Sequence, residues 1–246
     1  MGTQSTIQAA RGTRDFYPEA MAFRNWLYAK VRDTSERFGY QEWEAPILER
    51  LDLYAAKSGE ELVNQQSFVL KDRGGDELAL RPELTPSLAR MIAQRQATLV
   101  QPVRWYSYGP FWRYERPQRG RTREFFQWNI DLLGSETPAA DGEIASIGAY
   151  FLQSLGLTAD EVAIHVNSRR LMERMLASIG IGPELYGSVL RLIDRRDRLS
   201  PDKWNAWALE MGLSEPQLEA LRVLLGDPEL WRESDELCQV FATAQA

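Results

Sequence analysis

Between Glu124 and Leu133 the residues sort by parity. Glu124, Phe126, Trp128, Ile130 and Leu132 fall on one side of a strand, and Phe125, Gln127, Asn129 and Asp131 on the other, since successive side chains of a strand point to opposite faces. The first set is nearly all apolar and is expected to pack on the core, leaving one aromatic and three polar groups in line on the opposite face. Upstream, Val103 to Tyr108 and Phe111 to Arg116 are aromatic-rich extended segments, followed by a loop at Pro117–Thr122. The middle of the chain is therefore expected to be an antiparallel sheet.

Around this hairpin the periodicity alternates. From Pro18 to Phe38, Met21, Phe23, Trp26, Leu27, Val31 and Phe38 recur at near-helical spacing, and Gly39 follows as a stop signal. A short extended piece at Glu42–Glu44 ends at Pro46, because the residue before proline is pushed to the extended region. Strands are expected at Ser67–Leu70 and Leu78–Leu80, joined through Gly74 and Gly75, then a helix from Pro86 to about Ala97. A helix from about Ala140 to Leu155 and a strand at Val162–Val166 follow, with His165 as a satisfied packing residue of that strand. Every later apolar segment has helical spacing: Arg170–Ile179, Pro183–Arg195, Pro201–Met211, Glu215–Leu225 and Pro228–Ala244, with Ser200 and Ser214 as N-terminal signals. The fold class expected is α+β, with a core over residues 1–168 and an all-helical segment over 169–246.

Charge narrows the function. The 246 residues carry a net charge of −6, yet Arg104, Arg113, Arg116, Arg119, Arg121 and Arg123 stand against the single acid Glu115 in one stretch of twenty, which points to a phosphate-bearing ligand. With one histidine and one cysteine, zinc sites of the usual ligands and Ser-His-Asp or Cys-His catalysis are excluded unless His165 serves, and no protein-built metal site is expected. Cys238 has no disulfide partner, the run Met1–Ala10 lacks the apolar core of a secretory signal, and no apolar run approaches a bilayer span. A cytoplasmic protein without membrane association is the expectation.

An isolated Arg-x-Glu such as Arg113 and Glu115 is ordinarily an ion pair on a solvated face. Here it precedes an arginine-bearing loop suited to folding over a polyphosphate, with Gly120 expected to allow close backbone approach and Phe125 offering a flat surface to a base. The chain has neither a Walker loop nor a Gly-x-Gly-x-x-Gly fingerprint, so this reads as a nucleotide site built on an antiparallel sheet.

The run from Phe111 to Gln127, FWRYERPQRGRTREFFQ, resembles motif 2 of class II aminoacyl-tRNA synthetases, and is most similar to the histidyl-tRNA synthetase family. Arg11–Asp15 (RGTRD), the long helix with Glu44–Pro46 as motif 1, Leu80–Pro86 (LRPELTP), Asn167–Arg170 and Leu190–Asp197 resemble the same family. The resemblance implies a class II-like antiparallel sheet flanked by helices. It implies that Arg113 holds the α-phosphate of ATP as the catalytic group, that Arg121 and Glu115 position the rest of the nucleotide, and that Phe125 stacks on adenine. Glu83, Thr85, Gln127 and Asp131 would grip the amino acid. Mg²⁺ would accompany ATP, and the partners implied are histidine, its tRNA and a second copy of the chain in a homodimer.

Other readings stand beside these. Thr85 before Pro86 is equally a helix N-cap, Glu83 could pair with Arg81, and Arg116, Arg119 and Arg123 could solvate the loop or touch the tRNA acceptor end. The aromatic cluster Trp105, Tyr106, Tyr108, Trp112 and Tyr114 suits core and dimer packing. Family members continue into a histidine-recognition segment, a glycine-rich motif 3 and an anticodon-binding domain, so an incomplete catalytic domain is expected, holding only the generic amino-acid and ATP contacts. A non-catalytic paralogue, such as the synthetase-like regulatory subunit of ATP phosphoribosyltransferase, is the alternative function. An RNA-binding module would explain the arginines but not Glu83, Gln127 and Asp131.

Overall fold

The computed structural model describes residues 7–55, 66–227 and 229–245. Pro228, where the last helix is expected to begin, and residues 1–6 of the polar N-terminal run lie outside them. The chain divides into two compact units, residues 1–136 with 147–162 and residues 137–146 with 163–246.

In the first unit, α1 (Pro18–Arg37) begins with proline in its first turn and stops where Gly39, at φ 79°, donates its N–H to Glu36; only glycine adopts that conformation without strain. The chain then enters β1 (Gln41–Glu42), which pairs parallel to β5 (Val103–Trp112), and β5 pairs antiparallel with β6 (Glu124–Leu133) over ten residues, from Val103 opposite Leu133 to Trp112 opposite Glu124. A second sheet sets β4 (Glu77–Leu80) between β2 (Leu48–Arg50) and β3 (Phe68–Lys71), antiparallel to both. After β2 comes the short helix α2 (Leu51–Ala55), and after β4 comes α3 (Thr85–Arg95), tied to β2 where Glu49 accepts from Ser87 Oγ at 2.9 Å and Arg90 Nη2 at 2.6 Å.

The two extended segments expected at Val103–Tyr108 and Phe111–Arg116 are one strand that ends at Trp112. Pro110 does not interrupt it, because the β1 ladder reaches only to Tyr106 and leaves the outer edge of β5 free beyond that point. Arg81 covers this edge instead: its Nε donates to the Pro110 carbonyl at 3.0 Å, and its own carbonyl accepts from Trp112 N–H at 3.1 Å. A proline is tolerated where no ladder bond is asked of it.

The even-numbered face of β6 packs as expected. Phe126 meets Phe16 edge-on at 5.7 Å and lies 6.2 Å from Tyr108, while Trp128 meets Phe151 of α4 (Pro138–Ser154) at 4.9 Å. The odd-numbered face is not simply open. Phe111, Phe125, Trp105 and Leu133 join Trp43, Ala45, Leu84 and Leu88 in an apolar cluster, so aromatic groups close both ends of that face and the polar residues lie between them.

The second unit is helical: α5 (Arg169–Ser178), α6 (Pro183–Asp194), α7 (Pro201–Glu210), α8 (Glu215–Gly226) and α9 (Asp235–Gln245). Leu176, Ile181, Val189, Leu192, Trp204, Ala208, Leu213, Leu218 and Leu221 form its core, and Trp204 Nε1 donates to the Leu192 carbonyl at 2.9 Å. Ser214 caps α8 reciprocally with Gln217, whereas Ser200 makes no side-chain cap. Two expectations fail here. The segment Val162–Val166 is not a strand and His165 is exposed; a β-branched run becomes a strand only beside a partner, and the described residues provide none. The single helix expected over Pro228–Ala244 is broken at Ser234, which is buried and accepts from Leu237 N–H at 3.3 Å, restarting the helix after a 3-10 turn at Leu230–Glu233.

Candidate active site

Motif-bearing residues gather on and around the β5–β6 hairpin. Its loop is closed at the base by Arg113 N–H donating to Arg123 O at 2.9 Å, and at the tip by reciprocal bonds between Gln118 and Arg121 of 3.0 and 2.9 Å. Gly120 at the tip has φ 79° and open space where a Cβ would stand. Glycine there serves the left-handed turn. The segment at Gly12 docks on the returning strand, its carbonyl accepting from the N–H groups of Arg123 at 2.8 Å and Glu124 at 3.1 Å.

Arg113 is fixed on two sides. Nε donates to the Pro82 carbonyl at 3.1 Å, and the guanidinium sits 5.1 Å from the ring centroid of Phe125, which stacks in turn on buried Phe111 at 5.8 Å. Arg113 and Phe125 thus form a layered pair with the guanidinium on the ring face. Glu115, just beyond the strand, accepts from Arg121 Nη1 at 3.4 Å, and Arg123 folds back to donate to the Glu115 carbonyl at 3.2 Å while covering Tyr114 at 4.1 Å. Arg123 is therefore part of the loop's own scaffold.

The Leu80–Pro86 segment approaches through Pro82, whose carbonyl holds Arg113. Glu83 is partly buried and Thr85 is exposed at the first residue of α3. The N-cap of that helix is Leu84, without a side-chain cap, so Thr85 does not cap it. Nor does Arg81 pair outward with Glu83: it is fully buried and its Nη1 bonds to Glu44 Oε1 and, at 3.1 Å, to the Ala45 carbonyl. Glu44 is distant in the chain and arrives through the β1–β5 pairing.

Along the odd face of β6, beyond Phe125, come Gln127, Asn129 and Asp131, standing opposite Gly109, Ser107 and Trp105 of β5. Gln127 Nε2 donates to Asn129 Oδ1 at 2.7 Å. Burial pushes the Asp131 carboxyl above its ordinary value, as expected of a charge removed from water. The structure thus brings Arg113 to Phe125, Glu115 to Arg121, and Gln127 and Asp131 onto one face. Three residues of this neighbourhood were not singled out from sequence: Arg81, Ser107 and Asn129. Parity placed Asn129 on the polar face, but no sequence pattern marks Ser107, which lies opposite it on the other strand.

Among the described residues no group of three or more His, Cys, Asp or Glu side chains is arranged to hold a metal ion, and no helix is long and apolar enough to cross a membrane.

The family model described as histidyl-tRNA synthetase matches residues 12–246. The chain is 38% identical over 219 residues to the chloroplastic/mitochondrial histidine–tRNA ligase of Arabidopsis thaliana, covering 89% of the chain and 45% of that protein. It is 39% identical over 217 residues to histidine–tRNA ligase of Haloarcula marismortui, covering 88% and 49%. The chain spans about half the length of these curated relatives. Its fold is like that of histidyl-tRNA synthetase from Nostoc sp. PCC 7120, with a TM-score of 0.82 at 18% identity over 98% of the chain and 58% of the other. It is also like the ATP phosphoribosyltransferase regulatory subunit/histidyl-tRNA synthetase from Bacillus halodurans, with a TM-score of 0.78 at 20% identity over 100% and 66%. At those identities the two structures speak to the fold alone.

Proposed function

Because the chain belongs to the histidyl-tRNA synthetase family, we propose that it carries the nucleotide- and amino-acid-binding face of an enzyme that activates histidine with ATP and transfers it to the histidine tRNA. The observation that carries this reading is the placement of Arg113. Its guanidinium is anchored by the Pro82 carbonyl and Phe125 at one end of a face that continues into Gln127 and Asp131.

In the proposed reaction the carboxylate of the bound amino acid attacks the α-phosphorus of ATP, an acyl–phosphate bond forms and pyrophosphate leaves. The nucleophile is already ionised, so no protein base is needed. The chain's task is to hold two anionic reactants in line and to stabilise the charge that gathers on the α-phosphate. Arg113, tethered at Nε by the Pro82 carbonyl, would supply that charge by turning its guanidinium from the Phe125 ring to the phosphate. Arg121 and Glu115 would position the remainder of the nucleotide. Phe125 would offer its ring to adenine once the Arg113 guanidinium moves from the ring face to the phosphate. Glu83, Thr85, Gln127 and Asp131 are oxygen-bearing groups suited to the N–H donors of the amino acid, its α-ammonium among them. Mg²⁺ would enter with ATP, as its preference for water and phosphate oxygens favours. We further propose that residues 1–168 form the catalytic core and 169–246 a helical insertion, in a cytoplasmic homodimer.

Histidine-dependent exchange of pyrophosphate into ATP by the full-length protein tests the reading. Exchange with histidine and not with other amino acids is expected. Absence of exchange, together with binding to an ATP phosphoribosyltransferase catalytic subunit, would overturn it in favour of the regulatory alternative.

A further inference from the structure

Ser107 and Asn129 face each other across the β5–β6 ladder, on the side that carries Gln127 and Asp131. Both bear buried polar atoms with no hydrogen-bond partner among the described residues: the Oγ of Ser107, a residue 1% exposed, and the Nδ2 of Asn129. Asn129 is oriented by its neighbour, since its Oδ1 accepts from Gln127 Nε2 at 2.7 Å; the amide N–H pair is therefore turned away from Gln127. Buried polar groups are ordinarily paired, and an unpaired pair in the middle of a face that aromatic groups close at both ends calls for a partner from outside the chain.

Direction along the strand says which part of a ligand that partner is. Arg113 and Phe125 mark the phosphate end, and Gln127, Asn129 and Asp131 follow in steps of roughly 7 Å per residue pair. A carboxylate attacking the α-phosphate must lie at the Arg113 end, so the amino acid's side chain extends the other way, over Asn129 and Ser107 toward Asp131. We propose that Ser107 and Asn129 are specificity-determining residues that read this side chain, Asn129 donating an N–H to an acceptor nitrogen or oxygen on it and the Ser107 hydroxyl bonding beside it, while Asp131 accepts from an N–H at its far edge. The side chain selected is one that carries an acceptor next to a donor, as an uncharged imidazole does. This assignment rests on the amino-acid-activating reading and deepens it: part of side-chain recognition lies in these residues, and not only generic contacts.

The test is equilibrium binding of histidine and of 3-(2-thienyl)alanine, which keeps a five-membered ring without its nitrogens, to the full-length protein by calorimetry, with pyrophosphate exchange in parallel. Asn129→Asp keeps the acceptor that Gln127 uses and removes the N–H donors; Ser107→Ala removes the hydroxyl. Each is expected to reduce the preference for histidine over thienylalanine by about tenfold or more, with binding of an ATP analogue unchanged and unfolding temperature within a few degrees of wild type. Asn129→Leu, which has no polar group, is expected to reverse the preference toward the apolar ring. Retention of the histidine preference within twofold in all three variants would overturn the assignment, as would equal loss of both amino acids together with the ATP analogue, the mark of a merely structural role. If the wild-type protein binds histidine with this discrimination but exchanges no pyrophosphate, the catalytic reading falls and the present one stands; if it binds neither amino acid, both fall.

Discussion

Gly109 leaves the space into which the Arg81 guanidinium is folded: a Cβ on Gly109 would overlap Nη2. Arg81 is wholly buried, while its ion-pair partner Glu44 has 56% of its side chain exposed, so the guanidinium works chiefly as a clamp on backbone. It joins the Ala45 and Pro110 carbonyls and lies 4.8 Å from the Phe111 ring centroid. Gly109→Ala should therefore displace Arg81 and lower stability by about 1–3 kcal/mol, the usual range for overpacking. Urea unfolding of wild type and variant measures it, and an unchanged midpoint would show that the clamp tolerates a methyl group.

Arg113→Ala should slow amino-acid activation by about one to two powers of ten, since a charge-assisted contact is worth about 1.5–3 kcal/mol, while leaving amino-acid affinity nearly unchanged. Arg113→Lys should restore little of the rate, because an ammonium cannot both hold the Pro82 carbonyl and present a planar fork. Asp131→Ala should do the reverse, weakening the amino acid more than the rate. Single-turnover adenylate formation against equilibrium binding separates the two.

The Asp131 carboxyl is pushed up by burial, so the folded chain holds its proton to higher pH than the unfolded chain does. Stability from this group is fully present below the unfolded carboxylate range, near pH 4, and is lost as pH rises through the elevated folded value. Asp131→Asn should therefore be more stable than wild type at pH 7, with the difference shrinking as pH falls toward 4. Denaturant titrations at both values check the sign.

Two helical glycines should respond oppositely to alanine. A Cβ on Gly142 of α4 would stand 2.8 Å from the Val240 carbonyl and 2.7 Å from Thr243 Cβ of α9, and the backbone oxygen cannot swing aside. Gly187 of α6 has open space at the same position. Gly187→Ala is expected to raise stability by about 0.5–1 kcal/mol through helix propensity, whereas Gly142→Ala should lower it despite that gain. Thermal unfolding of the two variants beside wild type is the measurement.

How much of this was legible in the chain follows from the reach of each interaction. Elements whose signal is local could be read directly: β6 from its parity, α1 from its apolar spacing and its terminal glycine, α8 from Ser214 and its apolar spacing. The motif residues of the hairpin could also be named, because the arginine loop and the polar face of β6 lie within one stretch of sequence. What only the tertiary structure decided depends on a partner distant in the chain. Pro110 stays in a strand because Arg81 takes the edge a strand would have used. The Val162–Val166 run has strand composition but no partner among the described residues, and the last helix breaks where burial makes Ser234 a cap. Arg81 finds Glu44, thirty-seven residues away, and Ser107 becomes part of the candidate site only because the β5–β6 register sets it opposite Asn129. Periodicity records which face of an element is wet or dry; it does not record which other element that face will meet, and pairing across the fold assigned these residues their neighbours.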